Sequence, residues 1–220
     1  MTSLLITLRG PLQSYGDVAN YGYRTTWDYP SKSAIIGMLM AALGCPRSDT
    51  ATMAELNQLG FAVRIDQLGE LMQDFRTVQY KEGKGVKLSY VDYVSDAVFI
   101  VALSGDKETL VTLERAIHHP VWQLFFGRKC NAPGYIPTKI MDEDNPVQAL
   151  SVFPWAGSEW RRRQLKRQDK KTITVSVFAD AKYRSNELQS FRRDLPRSFD
   201  MRDRRYDYRA EVQLKTKLSV

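Results

Sequence analysis

"YPSKSAIIGMLMAALGCP", residues 29–46, is apolar on nearly every side from Ala34 to Leu43. A helix that is apolar all round is buried all round, so this stretch predicts a central helix with other elements packed about it. Ser31 or Ser33 supplies the N-cap, Gly44 suits the left-handed closing position, and Pro46 blocks continuation. Gly37, in mid-helix, costs about 1 kcal/mol relative to Ala and predicts close approach by another backbone.

Working outward from this helix, residues 3–8 (SLLITL) read as a buried strand that runs into "RGPLQSYGD", Arg9 to Asp17. Gly10-Pro11 is a breaker pair, consistent with a plain surface turn or with a loop that approaches a ligand. Downstream, Asp49-Thr50 opens a short helix to Leu59, and Phe61–Ile65 is strand-like. Asp74–Tyr80 and Val86–Tyr93 form a hairpin, about 74–93, around the basic tip Lys81-Glu82-Gly83-Lys84-Gly85. Ala97–Leu103 is a fully apolar strand. Lys107–His118 is a helix with Leu110, Leu113 and Ile117 on one face, and a last strand is expected near Ile136–Ile140.

That order, β-α-β-β-α-β, predicts an α+β protein whose residues 1–144 form a ferredoxin-like, RRM-like body with a protruding hairpin. The RNA-stacking pattern of that fold, Lys/Arg-Gly-aromatic-Gly/Ala-aromatic, is absent, so binding across the sheet face is not expected. Residues 145–220 are expected to form a small basic, β-rich region. A helical patch there follows Asn145-Pro146 and ends at Phe153-Pro154-Trp155, before the block "WRRRQLKRQDKK" (Trp160–Lys171). Thr172–Phe178 and Ala210–Leu218 alternate as strands.

Charge separates the two parts. The net +7 divides into +10 from Trp160 onward, with 18 Lys/Arg against 8 Asp/Glu, and −3 before it. A basic third on a mildly acidic body suits a polyanion, of which nucleic acid is the commonest. Two cysteines are too few for a disulfide framework or a four-thiolate zinc site. No apolar run reaches the roughly 18 residues of a membrane span, and Arg9-Gly10-Pro11 interrupts any signal-peptide core. A cytoplasmic protein is expected.

Three places could carry chemistry. The helix start Pro30-Ser31-Lys32-Ser33 offers free N–H groups, two hydroxyls and a cation, which suit a phosphate. The spacing of a Walker A loop is missing. Gly127-Arg128-Lys129, within "FFGRKCNAP" (Phe125–Pro133), lets backbone approach a ligand while Arg128 forks onto phosphate or stacks on a base. His118 and His119 could supply a general base, but a helix C-terminus favours cations and gives them an ordinary structural seat. A metal site would need carboxylates that cannot be placed beside them.

The segments "LRGPLQSYGD", "YPSKSAIIGMLMAALGC", "FFGRKCNAP" and "DYVSDAVFIVAL" (Asp92–Leu103) together resemble the CasD-type (Cas-five) family of CRISPR Cascade subunits, type I-E. The resemblance implies a non-catalytic RNA-binding subunit with a hairpin thumb, without cofactor or metal, that holds the 5′ handle of the guide crRNA. Its implied partners are the Cas-seven backbone subunit and the large subunit, with target DNA met indirectly and no membrane. The implied RNA-binding set is Arg9, Gln13, Ser14, Tyr15, Arg24, Ser31, Lys32, Ser33, Arg128 and Lys129. Lys81, Lys84 and Lys87 on the hairpin complete it, and the charge of the C-terminal third adds Arg161, Arg162 and Arg163 in the basic block. Some type I-C relatives cut repeat RNA with a Tyr-Lys-His group, but here no Lys-His pair follows the hairpin. A metal-independent endoribonuclease using His118 or His119 is the alternative, and a purely protein-binding scaffold would leave the basic third unexplained.

Overall fold

The computed structural model describes residues 2–20, 22–79, 85–184 and 187–220, with the backbone alone for 17–20. Its strands are β1 (Thr2–Arg9), β2 (Leu12–Gln13), β3 (Tyr15–Asn20), β4 (Tyr23–Trp27), β5 (Gly60–Gln67), β6 (Glu70–Gln79), β7 (Val86–Ser95), β8 (Val98–Gly105), β9 (Thr138–Met141), β10 (Thr172–Asp180), β11 (Gln189–Ser198) and β12 (Arg205–Ser219). Its helices are α1 (Lys32–Leu43), α2 (Thr50–Gln58), α3 (Lys107–His118), α4 (Pro146–Val152) and α5 (Glu159–Arg167). The hairpin lysines Lys81 and Lys84 lie outside the described residues.

The main sheet is antiparallel throughout, in the order β11-β12-β10-β5-β8-β1-β9. Side chains alternate across a strand, and both faces are covered. Leu4, Ile6, Leu8, Phe61, Val63, Phe99 and Val101 pack with α1, α2 and α3 on one face. Leu5, Ala62, Ile100 and Ala102 pack with Ala149 and Leu150 of α4 on the other. This two-sided burial explains why β1 and β8 read as continuous apolar runs.

α1 closes as its sequence requires. Ser31 accepts from the Ala34 N–H, Gly44 sits at φ 78°, and the Cys45 N–H reaches the Met40 carbonyl. Gly37, however, faces no backbone. A Cβ there would rest against the Phe199 ring at 3.7 Å, so the expectation of a backbone neighbour is corrected to an aromatic one.

Residues 12–27, of which only the stretch to Asp17 reads as a turn or loop and the rest gives no element, hold three strands of a second sheet, ordered β2-β7-β4-β3 with β6 paired to β7. The three C-terminal strands continue the main sheet, because Val177–Ala179 of β10 pair with Ala62–Arg64 of β5. Arg64, fully buried on β5, holds the start of the C-terminal region in place. It is paired bidentately with Asp66 and donates to the carbonyls of Leu150, Phe153 and Pro154. Asp66 in turn accepts from the Ala156 N–H, and its carbonyl accepts from Trp155 Nε1 at 2.7 Å.

Candidate nucleic-acid interface

The "RGPLQSYGD" segment and the Gly127 loop are stitched together. Ser14 N–H donates to the Phe126 carbonyl at 3.1 Å, and Arg128 Nε donates to Ser14 Oγ at 3.0 Å. Gly127 takes φ 83°, and a Cβ on it would fall 1.6 Å from the Ser14 carbonyl oxygen. The close approach expected at this glycine is therefore made to the protein's own backbone.

Most of the polar side chains of that segment turn inward. Gln13 is fully buried, donating to the Ala97 carbonyl at 2.9 Å and accepting from the Tyr15 hydroxyl at 2.6 Å. Tyr15 lies edge-on to Phe99, and burial pushes its hydroxyl pKa well above the ordinary value. Ser14 is buried and donates to the Asp92 carbonyl. The expectation that Gln13, Ser14 and Tyr15 meet RNA through their side chains is corrected: these groups shape the loop from within.

The helix start is corrected in the same way. Its anion is internal, because the Lys32 N–H donates to Asp194 Oδ2 at 2.9 Å. Lys32 Nζ is buried against the Leu59 carbonyl and Asp180, and burial holds its pKa below the ordinary lysine value despite Asp180. Ser31 caps the helix, and its hydroxyl shares a hydrogen bond with Ser33. Arg209 is the hub of this cluster. It forks onto both oxygens of Asp194, bonds Asp180 at 3.0 Å and Glu211 at 2.6 Å, and lies over the Phe61 ring. Burial alone would lower its pKa, but Asp194, Glu211 and Asp180 raise it above the ordinary arginine value. Arg192 completes the group 3.7 Å from Asp194, stacked over Trp27 and Tyr29. Three cations thus meet three carboxylates.

The expected RNA-binding residues that stay at the described surface fall into two basic groupings. In the first, Arg128 lies over the Tyr93 ring at 5.5 Å, and Arg76 donates to the Tyr93 hydroxyl at 2.7 Å. Arg24 sits beside Val91 of β7 in the parallel register, on the face that carries Arg76, Lys87 and Tyr93. Burial lowers the Arg128 pKa, and the neighbouring Arg24 and Arg76 charges press the same way. Lys129 is exposed next to it. The opposite face of the hairpin is apolar and open, with Leu71, Phe75, Val86, Leu88 and Tyr90 more than a third exposed. Arg76 and Tyr93 escaped the sequence reading, although their period-2 placement on the hairpin strands was the signal.

In the second, Arg9, Arg162, Arg163 and Lys166 line a cleft of about 470 Å³ with Glu159, Ala156 and Gly157. Arg161 is half-buried and bonds Gln164 instead. Lys166 was also missed, although it stands one helical turn beyond Arg162.

The two histidines differ in setting. His118 Nε2 shares a 2.7 Å hydrogen bond with the Thr138 hydroxyl, which itself donates to Glu114, and its ring stacks on Tyr135. His119 is exposed. Among the described residues, no group of three or more His, Cys, Asp or Glu side chains is arranged to hold a metal ion. Among the described residues, no helix is long and apolar enough to cross a membrane.

Residues 3–211 match the model of the CRISPR-associated protein family Cas_Cas5. Over 176 residues, 71% of this chain and 79% of the relative, the sequence is 32% identical to the CRISPR system Cascade subunit CasD of Escherichia coli strain K12. A chain of a CRISPR RNA-guided surveillance complex superposes with a TM-score of 0.79 at 28% identity, covering 99% of this chain and 91% of that one. A crystal structure of a Cas protein gives 0.69 at 29% identity, covering 99% and 95%.

Proposed function

The chain belongs to the Cas5 family of CRISPR-associated proteins, and from that premise we propose that it is the non-catalytic RNA-binding subunit of a type I-E Cascade complex. In this reading it works in the cytoplasm, holds the 5′ handle of the guide crRNA, and caps the Cas-seven backbone beside the large subunit. The observation that carries the reading is the Arg24–Arg76–Arg128 grouping at the root of the β6–β7 hairpin. Three guanidiniums gather here, Arg24 and Arg76 both pressing on Arg128, with the half-exposed Asp74 paired to Arg76. Such forks suit a phosphate backbone, and Arg128 can bond it while resting on Tyr93.

The strand order β5-β8-β1-β9, with α1 and α3 crossing one face, supports a ferredoxin-like body in residues 1–144. The hairpin is its thumb, with Lys81, Lys84 and Lys87 as its RNA contacts in this reading and the apolar face toward the neighbouring Cas-seven subunit. Residues 145–220 add a basic flank. The ribonuclease alternative has less support, because His118 is committed to Thr138 and Tyr135.

Gel shift and cleavage of CRISPR repeat RNA in EDTA, with co-purification on guide RNA, test this. Binding without cleavage is expected, and Arg24→Ala with Lys129→Ala should weaken it. Replacing residues 81–87 with a Gly-Ser turn should leave the monomer folded and reduce its incorporation into Cascade. Cleavage by the wild type, or full incorporation of the hairpin variant, would sink the respective part.

A further inference from the structure

The buried cations Lys32, Arg64, Arg192 and Arg209 all face carboxylates, whereas the cations of the cleft at the end of β1 outnumber theirs. Arg9, Arg162, Arg163 and Lys166 face it with Glu159 as the one carboxylate. Its walls are fixed from beneath. The Arg64–Asp66 pair holds residues 150–156, which places the Ala156 carbonyl against Arg9 and Trp155 under Arg162. Gly157 is required here, since a Cβ would lie 2.0 Å from the Trp155 ring.

Within the cleft, the two inner guanidiniums are oriented but not saturated. Arg9 gives one nitrogen to Ala156, and Arg162 gives one to the Trp155 carbonyl at 3.2 Å while lying 5.4 Å over its ring. Each keeps most of its five donors for a ligand. Arg163 holds only an exposed i,i+4 pair with Glu159 at 3.3 Å, which is weak. Lys166 is exposed and follows Arg162 and Arg163 at helical spacing, so all three share a face of α5. Trp160 flanks this face, two-thirds exposed.

We propose that this cleft is a second single-strand nucleic-acid site, separate from the hairpin root. It seats a backbone phosphate among Arg9, Arg162, Arg163 and Lys166, with one base stacked on Trp160. A phosphodiester satisfies the unspent donors. An unpaired strand is the form that can offer a base face to an exposed ring while its backbone runs in a basic groove. The inference rests on the nucleic-acid reading above and extends it to a surface with different residues.

Fluorescence anisotropy with the full chain, a labelled uridine octamer and its deoxy counterpart tests it over a salt series. Arg163→Ala with Lys166→Ala should flatten the slope of log affinity on log salt by about 0.7 for each phosphate lost. Trp160→Ala should weaken binding about 5- to 150-fold with the slope unchanged. These side chains are exposed, so an unaltered melting temperature confirms the fold. Loss with both octamers, or with one alone, carries the proposal and names the strand. Wild-type affinity and slope in these variants, while Arg24→Ala with Lys129→Ala loses binding, overturns the cleft and leaves the hairpin root standing. The reverse pattern keeps the cleft and removes the hairpin root. No loss in any variant overturns both.

Discussion

Replacing Arg209 by Met takes away the hub of the buried ion cluster and leaves its shape nearly intact. Asp194 then loses donors at 2.9 and 3.0 Å, Asp180 one at 3.0 Å and Glu211 one at 2.6 Å. Lys32 stays 3.3 Å from Asp180 and Arg192 3.7 Å from Asp194, so two cations face three buried carboxylates. An uncompensated buried charge of this kind costs about 3–5 kcal/mol, a large part of the roughly 5–15 kcal/mol that holds a domain together. At about 2–4 °C per kcal/mol for a chain of this size, the melting temperature should fall by about 6–20 °C. Urea unfolding at pH 7 measures it. Adding Glu211→Gln keeps the acceptor for Tyr29 and restores charge balance, so the double variant should be less damaged than the sum of the singles by about 1–3 kcal/mol. A cost below about 1 kcal/mol for Arg209→Met, or strict additivity in the pair, would refute the idea that charge matching holds this cluster.

Gly127→Ala should cost at least ~2 kcal/mol in urea unfolding and weaken RNA binding, since φ 83° and a 1.6 Å clash with Ser14 must both be relieved by opening the loop. Above pH 10 the folded state keeps Tyr15 and Tyr29 protonated while the unfolded chain ionises at the ordinary 10.0. The native form then binds more protons, and stability falls with rising pH by up to about 1.4 kcal/mol per pH unit for each group. Lys32, whose folded pKa is lowered, acts with the opposite sign only up to its ordinary 10.5, so the decline should be steepest beyond that. Denaturation curves with tyrosinate absorbance check this, and Tyr29→Phe should flatten the decline. His118→Ala forfeits the Thr138 bond and the Tyr135 stack, about 1 kcal/mol by thermal melting, with RNA binding intact. Loss of a repeat-RNA cleavage activity in that variant would restore the nuclease alternative.

Local signals carried the sequence a long way. The cap at Ser31, the left-handed Gly44 and the apolar face of Leu110, Leu113 and Ile117 placed α1 and α3 within two residues. What failed was long range. Lys32 looked like a phosphate ligand because nothing nearby in sequence announces Asp180 and Asp194 as its partners. Arg192 and Arg209 counted toward a basic surface for the same reason, although both are buried among acids. Arg9–Asp17 read as a turn or loop, and residues 18–27 gave no strand signal, because β3 and β4 owe their order to β7, some 65 residues away. β11 was obscured by Pro196 and a bulge between Arg192 and Leu195, and α5 by a charge density that read as a boundary. The cleft needed Arg9 and α5 in one place, which the Arg64–Asp66 anchor and the Ser158–Gln67 bond provide over long range.

The pairing of β10 with β5 has a consequence for synthesis. At Phe61–Val63 the outer edge of β5 is apolar and ready to accept a strand, and its partner at residues 177–179 follows more than a hundred residues later. At about 5–20 residues per second a ribosome takes on the order of ten seconds to close that gap. During this interval the nascent chain carries an open β edge, the template on which unrelated chains polymerise. Translation pauses or truncations between residues 105 and 172 should therefore send this protein to chaperones or inclusion bodies, whereas one that has reached Ser219 has sealed its own edge.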